Sequence, residues 1–441
     1  MAFNTRKTTA DILYNVLKNK HTLSSELAVL RKNINISELD RRFVSEITNG
    51  VLRNLEYIDY IIKQSSDIKI NKISPYVLSV LRCGVYQLVY MDKVPVSASV
   101  NECVKIIKKS SNHRLAGFVN AVLRKASLIK DTISLPEGKL EHLSVKYSCP
   151  LWIVKKICDE IPDAEAFLSA VNQKANTVLR VNKTLTTTDR LLKSLNGSGW
   201  KCQKYNSHLF PGIDYLITAD KIENLEECED FKHGHFYVQD TAAAYSAQVL
   251  NPKPGSVVFD MCASPGGKTT HIAELMMNQG TVYAFDVNQD KIDKINENAA
   301  RLNLTNIKAS VMDSSVFDEK YSETADYLLV DSPCSGMGII RKKPDIKYLR
   351  RKEDITKLRN ISLRILKASS RYLKPGGTMV FSTCTIFKDE NEDVLFEFLK
   401  TSPGFRLKKI PCEKPNEGYM TLYPHSDDCD GFFISLIEKE K

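Results

Sequence analysis

The chain has 441 residues, 43% of them hydrophobic and 26% charged, and a net charge of +9. That apolar content excludes disorder as a general state, and at about 150 residues per domain the length allows roughly three cores. No run approaches the roughly 18 consecutive apolar residues of a membrane span, and the opening lacks the apolar stretch of a secretory leader, so a cytoplasmic protein without a membrane role is expected.

The eleven cysteines are dispersed, with no Cys-x-x-Cys pair and no Cys/His cluster at metal-ligand spacing, so free thiols and no metal are expected. The charge is uneven. Residues 1 to 130 carry +11 and the remainder sums to −2, although residues 341 to 374 alone carry +10. Two basic stretches on a nearly neutral body point to a polyanionic partner, against the simpler reading of solvated helix faces.

In chain order, the first 130 residues read as successive amphipathic helices: TADILYNVLKN, DRRFVSEITNGVLRNLEYIDYIIKQ, PYVLSVLRCGVYQLVYM, VNECVKIIKKS and RLAGFVNAVLRKASL. Thr8 and Thr9, Ser74-Pro75, and Ser97 to Ser99 are the expected starts of the first, third and fourth. A linker and one helix are expected over 136–170. Residues 171–238 then read strand, helix, strand, strand, helix, strand, a split βαβ pattern of the small RRM-like α+β type whose sheet can carry RNA. Its second helix is the acidic run NLEECEDF. Over 239–441 strands and helices alternate, which predicts a Rossmann-like α/β domain with a parallel sheet and ligands at the carboxyl ends of its strands.

The first of those strands runs into Cys262, Ala263, Ser264, Pro265, Gly266, Gly267 and Lys268. Paired glycines before a helix let the backbone approach a ligand while the helix N-terminus offers free N–H groups. The sequence is neither G-x-G-x-x-G nor a Walker A loop, which needs glycine where Cys262 stands. Asp286, Asp313 and Asp331 close three later strands, a pattern suited to a nucleoside cofactor. Asp286 is expected on the ribose, Asp313 near the adenine and Asp331 nearest the reacting centre; helix capping is the competing role. Cys334 and Cys384 also follow strands that end at this edge, where a thiolate can act as a nucleophile.

Two resemblances follow. Asp40-Arg41-Arg42-Phe43, Gly50 to Arg53, Asn101-Glu102 and Phe118 to Arg124 resemble the NusB-like RNA-binding fold, assigned here to residues 1–135. The series Asp260-x-Cys262-Ala263-x-Pro265-Gly266-Gly267-Lys268-Thr269, then Asp286, Asp331-x-Pro333-Cys334-Ser335-Gly336 and Ser382-Thr383-Cys384-Thr385, resembles the Nol/Nop/Sun family of RNA cytosine-5 methyltransferases. Arg180-Val181-Asn182 and Val238-Gln239-Asp240 match further short signatures of that family. Ser264 and Ser332 stand where the family usually has alanine.

The resemblance implies S-adenosyl-L-methionine as cofactor, 16S ribosomal RNA as substrate and a monomeric enzyme. It makes Cys384 the nucleophile on cytosine C6, Cys334 the residue that assists product release, and Asp331 the partner of N3, in surroundings that raise its proton affinity. DNA cytosine-5 methyltransferases use a Pro-Cys nucleophile, which would instead select Cys334, and the sequence leaves both assignments open. Arg341, Lys342 and Lys343 are expected phosphate contacts. The same chemistry on tRNA, and a non-catalytic NusB-like antitermination factor, are the alternatives; the second leaves the two cysteines and three strand-end acids without a purpose.

Overall fold

The structure is a computed structural model that describes residues 3–220, 222 and 225–441. Asn224, the first residue of the expected acidic helix, and Glu223 before it lie outside the described residues. The chain divides into two compact units, one formed by residues up to 174 together with 340–351, the other by residues 175–339 and 352–441. No helix among the described residues is long and apolar enough to cross a membrane.

The first unit is all helical. Its N-terminal part contains the helices Thr5–Leu17, Leu23–Lys32, Glu38–Arg53, Leu55–Ser65, Pro75–Tyr90, Val96–Lys108 and Ala116–Ile129. Their apolar stripes converge on Leu13, Ile47, Val51, Ile61, Val85 and Leu123, all fully buried. The first helix starts earlier than expected, because the Asn4 side chain accepts from Lys7 N, and Thr9 turns its hydroxyl back to Thr5 O. Pro95 is the cap before Val96, so Ser97 to Ser99 lie in the first turn and Ser99 is buried. The expected long second helix breaks at Asn54, whose side chain donates to Gly50 O. Leu23–Lys32 was not expected as a helix. It buries only Leu23 and Leu30, too thin a stripe to show as periodicity.

The stretch read as a linker is also helical, with Lys139–Lys146, Leu151–Glu160 and Ala164–Asn172 in the same unit. Residues 340–351 join this unit from far along the sequence. Asp345 accepts from Leu23 N at 3.0 Å, which caps the second helix. Lys347 is buried, donates to Arg53 O at 3.1 Å and to Ser148 O at 2.5 Å, and its proton affinity is lowered to about 8 by that burial. The basic run 341–374 is divided between the units: residues 340–351 belong to the helical unit, and the helix Lys352–Ser370 to the other.

The second unit holds two sheets. The strands β1 (Thr177–Val181), β2 (Cys202–Lys204), β3 (Leu216–Ala219) and β4 (Phe236–Val238) pair antiparallel in the order β2-β3-β1-β4. This is the ferredoxin-like order of a split βαβ unit. Its face is not open for RNA along β1: Val178, Arg180, Leu216 and Thr218 share one side and none exceeds 9% exposure. Arg180 leaves that face to bond with the helix Gly267–Leu275.

The larger sheet comprises β5 (Val257–Asp260), β6 (Thr281–Asp286), β7 (Ile307–Val311), β8 (Ala325–Asp331), β9 (Leu373–Thr383), β10 (Phe405–Leu407), β11 (Tyr419–Leu422) and β12 (Phe432–Lys439). The order is β10-β12-β9-β8-β5-β6-β7, with β11 beside β12. Strands β5 to β9 are parallel, and the long β12 runs antiparallel to β9. Pro375, Gly376 and Gly377 lie inside β9. The helix Thr241–Leu250, capped by Asp240, precedes the sheet; its buried alanine-rich sequence carries no polar face to signal it. Because the chain changes direction across the sheet between β5 and β8, the carboxyl ends of β5, β6, β8 and β9 open onto one crevice.

Candidate functional site

The loop after β5 is drawn tight by its own backbone. Ala263 N donates to Phe285 O at 2.9 Å and Gly266 N to Ala263 O at 2.7 Å. Gly266 stands at φ +99 as the residue before the helix Gly267–Leu275, a conformation that L side chains rarely adopt. Here glycine is required by the turn itself, and the helix N-terminus is delivered to the crevice.

Asp286 ends β6 and is 6% exposed. Its Oδ2 accepts from Ser264 N at 3.0 Å, and Oδ1 from Val287 N at 2.7 Å and Lys291 Nζ at 2.8 Å. The carboxylate thus ties the glycine loop to the end of β6. Asp313 lies two residues beyond β7, is exposed, and accepts from Ser315 N at 2.9 Å, which with the Ser315 side chain holds its carboxyl below the usual range.

Asp331 ends β8. Lys268 Nζ donates to its Oδ2 at 2.6 Å and Ser382 Oγ to its Oδ1 at 2.9 Å, so both oxygens already accept hydrogen bonds. Lys268 opposes the cost of its burial through Asp331 first and Cys384 next, which together raise its proton affinity. The cysteines meet at the same place: Cys334 Sγ and Cys384 Sγ are 3.2 Å apart, at the ends of the adjacent strands β8 and β9. Gly338 N donates to Cys384 O at 3.0 Å, and a Cβ on Gly338 would stand 1.8 Å from Gly431 O, so this close approach also needs glycine.

Arg341, Lys342 and Lys343 belong to the helical unit. Lys342 and Lys343 are exposed, and Arg341 O accepts from Arg53 Nη1 at 2.9 Å.

Two acids were given no role from the sequence, although Asp260 opens the motif after the first strand of the α/β domain. Glu390 is 1% exposed and accepts from Ser335 and Thr385, the neighbours of the two cysteines. Its place in the polar run KDENED reads as a loop. Asp260, the last residue of β5, is 1% exposed; Thr269 Oγ1 donates to its Oδ2 at 2.6 Å, and its Oδ1 has no partner within hydrogen-bond distance. Burial, with the nearby Asp331 charge, raises its proton affinity to about 7 despite Thr269 and Lys268. The folded state therefore holds a proton on Asp260 that the unfolded chain loses near 3.8, and that stabilisation disappears as pH rises through about 7. Relative to Asp260→Asn, the wild type is expected to lose about 2 to 3 kcal/mol between pH 5 and pH 8. Paired urea titrations at the two pH values measure it; parallel curves for both proteins would reject a raised Asp260.

Comparison with known proteins gives three family matches: residues 3–127 to the NusB family, 149–209 to the RsmF/B-like ferredoxin-like domain, and 247–438 to the family described as 16S rRNA methyltransferase RsmB/F. The probable ribosomal RNA small subunit methyltransferase B of Bacillus subtilis (strain 168) is 34% identical over 94% of this chain and 93% of its own length. Ribosomal RNA small subunit methyltransferase B of Vibrio vulnificus (strain YJ016) is 33% identical over 99% of this chain and 100% of its own. The crystal structure of PH0851 is 26% identical and matches with a TM-score of 0.84, covering 100% of both chains.

Proposed function

The chain belongs to the RsmB/F family of 16S rRNA methyltransferases, and from that premise we propose that it methylates C5 of a cytosine in 16S ribosomal RNA, with Cys384 adding to C6. The observation that carries this reading is the pair of thiols 3.2 Å apart at the ends of β8 and β9, beside Asp331 and Lys268. Neither an RNA-binding factor nor a methyltransferase acting on a more nucleophilic atom needs two adjacent thiols.

S-adenosyl-L-methionine supplies an electrophilic methyl group when bound. The residues that would hold it are Cys262 to Lys268, Asp286, Asp313 and Asp331. The site fits such a group, since Asp260 Oδ1 is a buried acceptor without a protein partner and Gly266 keeps the loop free of side-chain bulk. Asp286→Ala is expected to weaken S-adenosyl-L-methionine binding by about 1 to 3 kcal/mol, because it removes a charged acceptor and frees the Ser264 and Val287 N–H groups. Calorimetry gives the value; unchanged affinity would place the ribose elsewhere.

Cytosine C5 is a poor nucleophile, so Cys384 first adds to C6 and pushes electron density to C5, which divides one hard step into two easier ones. The Lys268 charge favours the thiolate that attacks. Charge that builds at N3 is met by the proton on Lys268 Nζ and by Asp331, which holds that ammonium 2.6 Å from Oδ2. After methylation the C5 proton must pass to a base while the pair of the Cys384–C6 bond returns to the Cys384 sulfur, and Cys334, 3.2 Å from Cys384, is placed to assist. The target base must be unpaired or flipped to reach this crevice. Bisulfite sequencing of 16S ribosomal RNA before and after incubation with the protein tests the reading: one newly protected cytosine is expected, and none would refute it.

A further inference from the structure

The two thiols meet at one point, and one buried carboxylate binds the loops that carry them, more closely on the Cys334 side. Ser335, next to Cys334, donates its N–H to Glu390 Oε1 at 2.6 Å and its hydroxyl to Oε2 at 2.6 Å. Thr385, next to Cys384, donates its hydroxyl to Glu390 Oε2 at 3.2 Å and lies 2.9 Å from Ser335 Oγ. Asn391 completes the knot: its Oδ1 accepts from Thr383 Oγ1 at 2.5 Å and its Nδ2 donates to Thr385 O at 3.1 Å. Every one of these groups is buried, and they join the loops that carry both cysteines. A carboxylate that accepts three hydrogen bonds is satisfied as an anion.

We propose that Glu390 is a positioning residue that locks the two cysteine loops together and, by its buried negative charge, keeps Cys334 protonated so that Cys384 is the first of the pair to become a thiolate. The groups acting on Cys334 include Cys384, Glu390 and Asp331, and Lys268 interacts with Asp331 and Cys384. The contact with Cys384, burial, and the charges of Glu390 and Asp331 together push the Cys334 thiol well above the usual range. Two thiols 3.2 Å apart cannot both ionise at moderate pH, so the charges placed beside them decide the order. This deepens the proposed function, and it rests on that reading only in calling Cys384 the attacking group. It also assigns Cys334 a consequence: a thiol still protonated after attack can give its proton to the Cys384 sulfur as the C6–S bond breaks, and the thiolate left behind can take the proton that leaves C5.

The test is alkylation of the full-length protein with iodoacetamide between pH 6 and pH 10, without RNA, with peptide mass spectrometry reporting Cys334 and Cys384 separately. In the wild type Cys384 is expected to react at lower pH than Cys334. Glu390→Gln, nearly isosteric, is expected to move the Cys334 midpoint down by about one pH unit, roughly a tenfold gain in its reactivity at fixed pH. Ser335→Ala, which removes a hydrogen bond but no charge, is expected to leave that midpoint in place, whereas simple loosening of the loops would raise Cys334 labelling in both variants at every pH. Equal Cys334 midpoints in wild type and Glu390→Gln, or Cys334 reacting first in the wild type, would overturn the proposal. If Glu390→Gln does not fold, the wild-type order decides. Failure to methylate 16S ribosomal RNA with the labelling order intact would reject the proposed function and leave this assignment standing.

Discussion

Cys384→Ala is expected to lower single-turnover methyl transfer by at least about 10⁴-fold, roughly 5 kcal/mol of transition-state stabilisation, while S-adenosyl-L-methionine affinity stays near that of the wild type. The loss is large because the remaining groups act only after the adduct exists. Lys268 and Asp331 can stabilise charge at N3, but without addition at C6 little charge develops there. Cys334 cannot simply substitute, although its sulfur is only 3.2 Å away: it is buried to 9% exposure, and burial with the charges of Glu390 and Asp331 still opposes its ionisation once Cys384 is gone. Cys334→Ala is expected to behave differently. Attack and methylation proceed, release fails, and a covalent protein–RNA species accumulates on ordinary substrate. RNA containing 5-azacytosine separates the two assignments, because the adduct is trapped whichever thiol attacks. Trapping by Cys384→Ala together with its absence in Cys334→Ala would reverse the roles.

The parts of this site that could be read from the sequence are those where one residue type has one use. Asp286, Asp331, Cys334 and Cys384 follow continuous apolar runs, and those runs placed them at the strand ends where the structure has them, with Cys334 three residues beyond β8. The split βαβ order was likewise legible, because each short strand is bounded by turn residues. What the sequence concealed depends on burial of charge. Lys347 sits in a basic run and reads as surface, yet its ammonium satisfies two backbone carbonyls of the helical unit. Glu390 sits in an acidic loop and reads as solvated, yet it accepts hydrogen bonds from both cysteine loops. Arg180 alternates with apolar residues and reads as the wet face of a sheet, yet it is fully buried. A pattern of polar and apolar residues reports which side chains could face water, not which polar ones have found a partner inside.

Arg180 carries the largest expected stability effect. Its guanidinium grips Glu274 with two hydrogen bonds, Nε to Oε2 at 2.9 Å and Nη2 to Oε1 at 2.8 Å, and also donates to Gln239 Oε1, Gly267 O and Thr270 Oγ1. The two family signatures noted in the sequence are thereby explained: Arg180 bonds to Gln239, and Asn182 reaches Gly234 O and Leu302 O, so the small sheet is fastened to the large one. Arg180→Ala leaves Glu274 buried at 6% exposure, and a loss of about 3 to 5 kcal/mol is expected. The pH dependence fixes the cause. Burial raises the proton affinity of Glu274, with Arg180 and, more weakly, Arg301 opposing it. Without Arg180 the raised acid holds its proton only at low pH, so the variant's deficit should be smallest near pH 5 and grow toward pH 8 as the carboxyl must ionise or bind a proton from solution. Removing the stranded charge as well, in Arg180→Met with Glu274→Gln, should recover part of the loss at pH 8 and little at pH 5. Urea unfolding of the three proteins at both pH values reads this out. A deficit that is independent of pH would mean that Arg180 acts through packing against Tyr237, whose ring lies 5.2 Å from its guanidinium carbon, rather than through Glu274.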